Sequence, residues 1–320
     1  MPSTADESTS VVTGGAGAIG SVLVRTLLER GGAVRVIDNL SGGQRERLPT
    51  GRAAAKLSLT VADLRQPSSY SDVFRNANEV WHLAANPDIR LGTRDPRVDL
   101  EHGTLATFNV LECARRCDVP RVLFSSSSVV YGLPTVFPTP EDYGPLNPES
   151  LYGASKLAAE GLCSAFAHSY GLKAYIFRFA NIVGPGMNHG VIYDFLKKLK
   201  SDPTRLEVLG DGRQAKSYLW VEDCVDAMHL AKERSSAPVN LYNLGSDDQT
   251  AVHDIAERVV RALGGRARID YTGGSRGWVG DVPLQLLATD RIRGLGWSPK
   301  LSSSEAVDRA IAVAREELGL

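Results

Sequence analysis

The chain has 320 residues, with 36 basic and 37 acidic side chains for a formal net charge of −1, and is 43% apolar and 23% charged. That is the composition of an ordinary globular protein and excludes a collagen, a coiled coil and a disordered chain. The near-zero charge argues against a nucleic-acid binder held by a basic face, and no apolar run approaches the roughly 18 residues of a membrane helix, so neither nucleic acid nor membrane is an expected partner. At roughly 150 residues per domain the length fits one large domain or two smaller ones.

Residues 1–10 are polar and lack the basic-then-apolar order of a signal peptide. Ser10-Val11-Val12 reads as a short strand running into a glycine cluster. Ala18–Glu29 has apolar residues at helical spacing (Ile19, Val22, Leu23, Leu27). Residues 33–37 read as a buried strand, Leu57–Val61 alternates like a third strand, and a fourth lies at 80–84 and a fifth at 121–124. Between the last two, the pattern predicts a helix over 103–115. Strand and helix in alternation predict right-handed crossovers and a parallel sheet covered on both faces.

The second half is less regular. A strand-like run over 174–180 ends at Asn181 and Gly184-Pro185-Gly186. Helices are predicted over 191–200, Val221–Arg234, 252–263 and Ser303–Leu318, the last opened by a serine cap. Gly210-Asp211-Gly212 is a turn and residues 273–277 a glycine-rich loop. This irregularity predicts a substrate-facing subdomain assembled from scattered segments.

Four cysteines, Cys113, Cys117, Cys163 and Cys224, are too few and too scattered for a disulfide framework and point to a reducing, cytoplasmic setting. Cys113 and Cys117 share a helical spacing, but no second Cys/His pair follows. All four are read as small buried hydrophobes, and no metal site is expected.

The run from Val11 through Gly20 has glycines at 14, 17 and 20, and Gly15, Gly17 and Gly20 also fit the G-x-G-x-x-G template. A tight turn must leave the strand, the backbone must approach a pyrophosphate with no Cβ in the way, and the anion then rests on the free N–H groups of the helix start, at Ala18 and Ile19. Alone, such a motif also occurs as a plain strand–helix link. Here it follows a strand, opens a helix, and is followed eighteen residues after Gly20 by Asp38 at the end of the next strand. A carboxylate there accepts from the adenosine ribose hydroxyls and repels a 2′-phosphate, which favours NAD over NADP. Asp38-Asn39 is also a turn signal. Asp63-Leu64 ends the third strand, where a side chain can meet adenine or simply cap the strand. Leu83-Ala84-Ala85 ends the fourth with small residues that leave room for a cofactor or for close helix packing.

Tyr152 and Lys156 lie four apart, on one face of a helix. A neighbouring ammonium and a cationic nicotinamide are expected to lower the tyrosine's pKa, so that its phenolate takes a proton from a sugar or alcohol hydroxyl. Read alone, the pair also fits an exposed helix face. Upstream, the run Ser125-Ser126-Ser127-Ser128 ends the fifth strand, at the sheet edge that faces the ligand crevice in such folds.

With these motifs in order the chain resembles the extended short-chain dehydrogenase/reductases, in particular the NAD-dependent nucleotide-sugar epimerases and dehydratases. The resemblance includes the glycine motif, Asp38-Asn39-Leu40-Ser41, His82-Leu83-Ala84-Ala85, the serine run, and Tyr152 with Lys156. It extends through the 178–185 stretch from Arg178 to Pro185, Gly210 to Gln214, and the 278–282 motif Trp-Val-Gly-Asp-Val. It implies an α/β fold, a Rossmann-type doubly wound parallel sheet with a smaller C-terminal substrate-binding subdomain. Residues 1–180 would be mainly NAD-binding, with later segments returning to them, and 181–320 mainly nucleotide-sugar-binding. It further implies Tyr152 as base, Lys156 on the nicotinamide ribose, and Ser127, four residues before Tyr131, on the sugar 4-hydroxyl. Ser125 faces the cofactor. Ser128, Asn181, Gln214, Lys216 and Arg276 face the substrate. Two departures stand out: Lys216 occupies a position where the family often has Arg, losing a bidentate fork, and Arg276 lies two residues earlier than the usual arginine.

The implied first step is oxidation at sugar C4. The partner is expected to be a UDP-hexose or UDP-hexosamine, with the uridine resting on resemblance. In the family's 4,6-dehydratases Asp and Glu usually follow the catalytic Ser or Thr. Here Ser128 and Val129 follow, and valine transfers no proton. Epimerisation at C4 is therefore the expectation, with a UDP-GlcNAc 5,6-dehydratase of the tunicamycin type as the alternative and a non-catalytic NAD sensor well behind. Gln285 lies near a position that gates acetamido sugars, where a non-aromatic residue favours a roomier pocket. The resemblance also implies a homodimer through the helices near 103–116 and 152–170, with Leu105, Phe108, Leu111, Leu162 and Phe166 as contact candidates. Core packing explains those five equally well.

Overall fold

The computed structural model describes residues 8–86, 88–278 and 280–320. Most of the polar N-terminal stretch and Val279 of the 278–282 motif lie outside the described residues. Seven strands form one parallel sheet: β1 (Thr9–Thr13), β2 (Ala33–Asp38), β3 (Leu57–Val61), β4 (Glu79–His82), β5 (Arg121–Ser127), β6 (Lys173–Phe179) and β7 (Val239–Leu244). Their order is β7-β6-β5-β4-β1-β2-β3. The order reverses between β1 and β4, whose registers Val12↔Trp81 and Thr13↔His82 bring their carboxyl ends level. In open α/β sheets that reversal opens the crevice used for ligands.

The strands form where β-branched runs are covered on both faces, as in Val11, Val12 and Val36, all fully buried. Helix α1 spans Ala18–Glu29, as the apolar spacing predicts. Three boundaries differ from expectation. β4 stops at His82 because β1 turns away after Thr13, and only the bond from Leu83 N–H to Thr13 O (3.1 Å) continues the ladder. β5 continues through Ser127 because sheet pairing outweighs serine's poor strand propensity. The expected 103–115 helix instead begins with a π-helical turn, Leu100–Leu105, followed by α2 (Ala106–Arg116). Strand β7 has no counterpart among the expected elements, because its run Val-Asn-Leu-Tyr-Asn-Leu breaks the period of two at Leu241-Tyr242.

The chain divides into two compact units interleaved in sequence. One holds the described residues through Ser126 with Leu151–Phe177 and Ala231–Tyr242, and the other Ser127–Ser150, Arg178–Leu230 and Asn243–Leu320. The core of the first includes Val11, Ile37, Phe74, Val80, Leu111, Val122, Phe124 and Ile176, with Cys163 and Phe166 supplied by helix α3 (Leu151–Tyr170). The second packs helices α4 (Val191–Ser201), α6 (Val252–Ala262) and α7 (Ser303–Leu318) around Leu196, Leu206, Trp220, Val259 and Ile311. In chain order α5 (Val221–Arg234) follows α4 and precedes α6. Ser302 caps α7 in a reciprocal box with Glu305, an arrangement that satisfies two otherwise unpaired N–H groups. All four thiols are free, and three are buried; burial pushes Cys113 up to about 11 and Cys163 up to about 12. Among the described residues no helix is long and apolar enough to cross a membrane, and no group of His, Cys, Asp and Glu is placed to hold a metal.

Candidate functional site

The glycine turn sits at the reversal between β1 and β4. Gly14 has φ +70°, and a Cβ there would lie 2.8 Å from the Ala84 nitrogen. A Cβ on Gly20 would lie 2.1 Å from the Gly14 oxygen. Gly14 and Gly20 are therefore required by the fold of the turn itself. Gly17 differs: its added Cβ would meet only the Gly14 oxygen, at 3.2 Å. As the N-cap of α1 it provides no side-chain bond, so the N–H groups at Ala18 and Ile19, among the first four of the helix, have neither an intrahelical nor a capping partner.

Asp38 ends β2 and is 8% exposed. Its two oxygens accept from the N–H groups of Ala16 (2.9 Å) and Leu40 (2.8 Å), which pins the carboxylate beside the glycine turn. Asn39 accepts from the Ser41 N–H and hydroxyl through its own amide oxygen. Leu83 and Ala84 bond back to Thr13 at the end of β1, and Ala84 forms the wall against Gly14; Ala85 follows. This donor set, a Cβ-free turn, free helix-start N–H groups and a fixed carboxylate, fits a dinucleotide pyrophosphate and ribose.

Asp63 and Leu64 are arranged otherwise. Asp63 lies two residues beyond the end of β3 and is forked by Arg65 (2.7 Å), whose guanidinium holds its carboxyl below the usual range. The Leu64 side chain is in the core, and its carbonyl accepts from Tyr70 and Asn109.

Tyr152 and Lys156 lie in the first turns of α3, as their spacing predicts. Lys156 is 3% exposed and its Nζ donates to the Ser125 carbonyl at 2.7 Å. The same ammonium stands 4.8 Å from the Phe124 ring centre and 5.7 Å from that of Tyr152. Burial pulls the amine down to about 8. The expectation that this neighbour lowers the tyrosine is not met in the protein alone: burial, followed by the charge of Asp99, pushes the Tyr152 phenol upward. The ammonium is engaged with a strand carbonyl, so desolvation dominates. The Ser125 hydroxyl donates to the His82 carbonyl (3.2 Å).

Behind these residues runs a polar chain that sequence alone did not assign. His82 is 1% exposed, with Nδ1 2.7 Å from the Thr13 hydroxyl and Nε2 3.0 Å from that of Thr107. Thr107 donates to the Gly103 carbonyl (2.6 Å), so its oxygen receives the Nε2 proton and Nδ1 accepts from Thr13. Burial, then the Lys156 charge, holds this imidazole neutral, its pKa down to about 3.

In the second unit, Ser127, the last residue of β5, caps the following turn through the Val129 N–H. Ser128 is buried and accepts from the Gln285 amide at 2.7 Å, and the other end of that amide accepts from the Ser217 N–H. Gln285 is in register with Lys216. Asn181 bonds to the Ser217 carbonyl through its backbone N–H. Gln214 is 3% exposed, and both ends of its amide are without partner. Lys216 pairs with Asp281 (2.7 Å) and Arg276 with Glu149 (3.1 Å), two carboxylate partners that the linear motifs do not reveal. The unit thus gathers Ser128, Gln285, Lys216 and Asn181 around Ser217, and sets Gln214 against the Gly210 turn beside the Arg276 backbone.

The sequence profile of the NAD dependent epimerase/dehydratase family matches residues 10–245. The chain is 30% identical over 318 residues to UDP-glucose 4-epimerase of Mycolicibacterium smegmatis, covering 96% of this chain and 99% of that one. A crystal structure of UDP-galactose 4-epimerase superimposes with a TM-score of 0.88 at 42% identity, covering 97% of this chain and 99% of the other. The UDP-glucose 4-epimerase of Thermus thermophilus, solved in complex with NAD, superimposes with a TM-score of 0.85 at 31% identity over 96% of this chain and 99% of its own. The fold and the glycine turn define a nicotinamide-dinucleotide protein of the short-chain dehydrogenase/reductase type. The chain belongs to the NAD-dependent epimerase/dehydratase family, and NAD is its cofactor.

Proposed function

We propose that this protein is a UDP-sugar 4-epimerase. The observation that carries the reading is the arrangement at the start of α3. There a buried ammonium bonded to the β5 carbonyl at Ser125 fixes Tyr152 near the carboxyl end of that strand. NAD, when bound, supplies the hydride acceptor for C4 and the donor for the return step. Tyr152 removes the proton from the sugar 4-hydroxyl as the C4 hydride leaves, and returns it when hydride comes back to the opposite face. Lys156 holds the nicotinamide ribose and offsets the phenolate charge. Ser127 holds the 4-hydroxyl. Gly14, Gly17, Gly20, Ala18 and Ile19 carry the pyrophosphate and Asp38 the adenosine ribose, with Asn39, Asp63, Leu64, Leu83, Ala84, Ala85 and Ser125 lining the cofactor. Asn181, Gln214, Lys216 and Arg276 serve the nucleotide diphosphate, and Ser128 the sugar.

Two features support epimerisation over dehydration. Val129 has no exchangeable proton, and the Ser128 hydroxyl is held by Gln285. A UDP-GlcNAc 5,6-dehydratase that recruits its acid and base from other pocket groups is the second reading, and the non-aromatic Gln285 favours an acetamido sugar under either reaction. Incubation with UDP-glucose and UDP-GlcNAc, followed by mass spectrometry and NMR, tests both. Unchanged mass with inversion at C4 supports epimerisation, and loss of water overturns it.

Because hydride returns to the same sugar, the purified protein is expected to carry bound NAD. A homodimer through α2 and α3 is part of the proposal. Leu105 and Phe108 are 44% and 42% exposed, whereas Leu111 and Phe166 belong to the core and Leu162 packs against it. A cytoplasmic location accords with four free thiols.

A further inference from the structure

The turn that follows β5 is tied to a small sheet of the second unit by one side-chain amide. That sheet has three short strands, in the order 250–251, 215–216 and 284–285, with Leu284 opposite Ala215 and Gln285 opposite Lys216. The Gln285 amide oxygen accepts from the Ser217 N–H at 3.2 Å, and its Nε2 donates to the Ser128 hydroxyl oxygen at 2.7 Å. Gln285 is 7% exposed and Ser128 9%, so both bonds are shielded from water.

The amide can face only one way. A backbone N–H donates and never accepts, so the carbonyl oxygen must meet Ser217 and the NH2 group must meet Ser128. Ser217 is a fixed anchor. It is fully buried, its N–H is shared with the Gln285 backbone carbonyl at 3.1 Å, and its hydroxyl oxygen accepts from the Ser246 N–H at 2.9 Å. Ser128 therefore accepts from Gln285 and gives its own proton to no acceptor among the described residues. A buried hydroxyl ordinarily finds a partner, and one that already accepts a hydrogen bond is the stronger donor for it.

We propose that Gln285 is a positioning residue that fixes Ser128 as a hydrogen-bond donor to an oxygen of the bound sugar. The inference rests on the reading of this turn as the sugar site, in which Ser127 holds the 4-hydroxyl. The group that Ser128 takes is an oxygen with a free lone pair, in a hydroxyl, a carbonyl or a carboxylate. Gln285 acts through Ser128. The effect is one of hydrogen bonding, separate from the room that a non-aromatic side chain leaves.

The test measures by titration calorimetry how tightly the NAD-loaded full chain binds UDP-glucose, UDP-GlcNAc and UDP alone, in the native protein, Gln285→Met, Ser128→Ala and the double variant. Methionine keeps the length and unbranched shape of glutamine without its amide, so a role set by side-chain volume predicts no change. Gln285→Met and Ser128→Ala are each expected to weaken the nucleotide sugar that the native protein binds by about three- to tenfold, the range of one neutral hydrogen bond. The double variant is expected to bind it no more weakly than Ser128→Ala, because the two residues act as one unit. UDP, which has no sugar, is expected to bind all four proteins equally. Unchanged sugar binding in a folded Gln285→Met protein, losses that add in the double variant, or an equal loss for UDP each overturn the proposal. Should Gln285→Met fail to fold by near-UV circular dichroism, Gln285→Asn replaces it. Its shorter side chain withdraws the amide from Ser128, and the same expectations and the same overturning results apply. A native protein that binds neither sugar overturns the proposal together with the sugar site, whereas binding without inversion at C4 overturns the epimerase reading alone.

Discussion

The Lys156 ammonium donates to the Ser125 carbonyl across 2.7 Å, joining the helix that carries Tyr152 to the carboxyl end of β5. A cation at 3% exposure is held there by one strand carbonyl and by the face of Phe124.

Its burial has a stability consequence. The amine is drawn from the ordinary 10.5 down to about 8, which corresponds to about 3 kcal/mol of destabilisation while both states are protonated. Between pH 8 and 10.5 the unfolded chain binds more protons than the folded one, so stability gains from this group as pH rises through that window. Lys156→Met, which keeps the volume without the charge, is expected to be at least as stable as the native protein at pH 7, with its advantage vanishing by the upper end of the window. Urea midpoints measured as a function of pH check this, and the variant is expected to have lost turnover.

Tyr152→Phe removes the phenol proposed as the proton acceptor and leaves the packing of α3. Turnover is expected to fall roughly 10²–10⁴-fold, the usual contribution of a positioned acid–base group, while NAD content after purification is unchanged. Steady-state rates and nucleotide released on denaturation are the measurements.

The glycines of the turn divide by what a methyl group would strike. Gly20→Ala places a Cβ 2.1 Å from a backbone oxygen and is expected to lower the melting temperature markedly. Gly17→Ala meets that oxygen at 3.2 Å. It is expected to keep most of the stability and lose NAD affinity, because its added carbon competes with the pyrophosphate for the helix start. Thermal unfolding alongside NAD titration separates the two effects.

Asp38 is held by two backbone donors and so presents a fixed negative charge. Asp38→Asn is expected to weaken NAD about tenfold while narrowing the preference for NAD over NADP, since the repulsion of a 2′-phosphate disappears. Fluorescence titration with both dinucleotides checks the ratio.

Much of this was legible in the linear order of residues. The β-branched runs of β1 and β2, the alternation of β3, the apolar spacing of α1, the glycines at 14, 17 and 20 and the Tyr152–Lys156 spacing all act over short range. Local sterics and periodicity dictate them wherever the chain folds, and Ser302 capping α7 belongs with them. Other features required distant segments to meet. β7 exists as a strand because β6 offers it an open edge, and β5 runs through three serines because its neighbours supply the hydrogen bonds. The partners of Lys216 and Arg276, at Asp281 and Glu149, lie 65 and 127 residues away. The neutral state of His82 and the upward push on Tyr152 come from burial, a property of the packed whole. Residue type and spacing thus determined which chemistry the chain carries. The charge state of those groups was decided only by the tertiary structure, because desolvation and long-range pairing depend on what surrounds a group and not on what adjoins it in the chain.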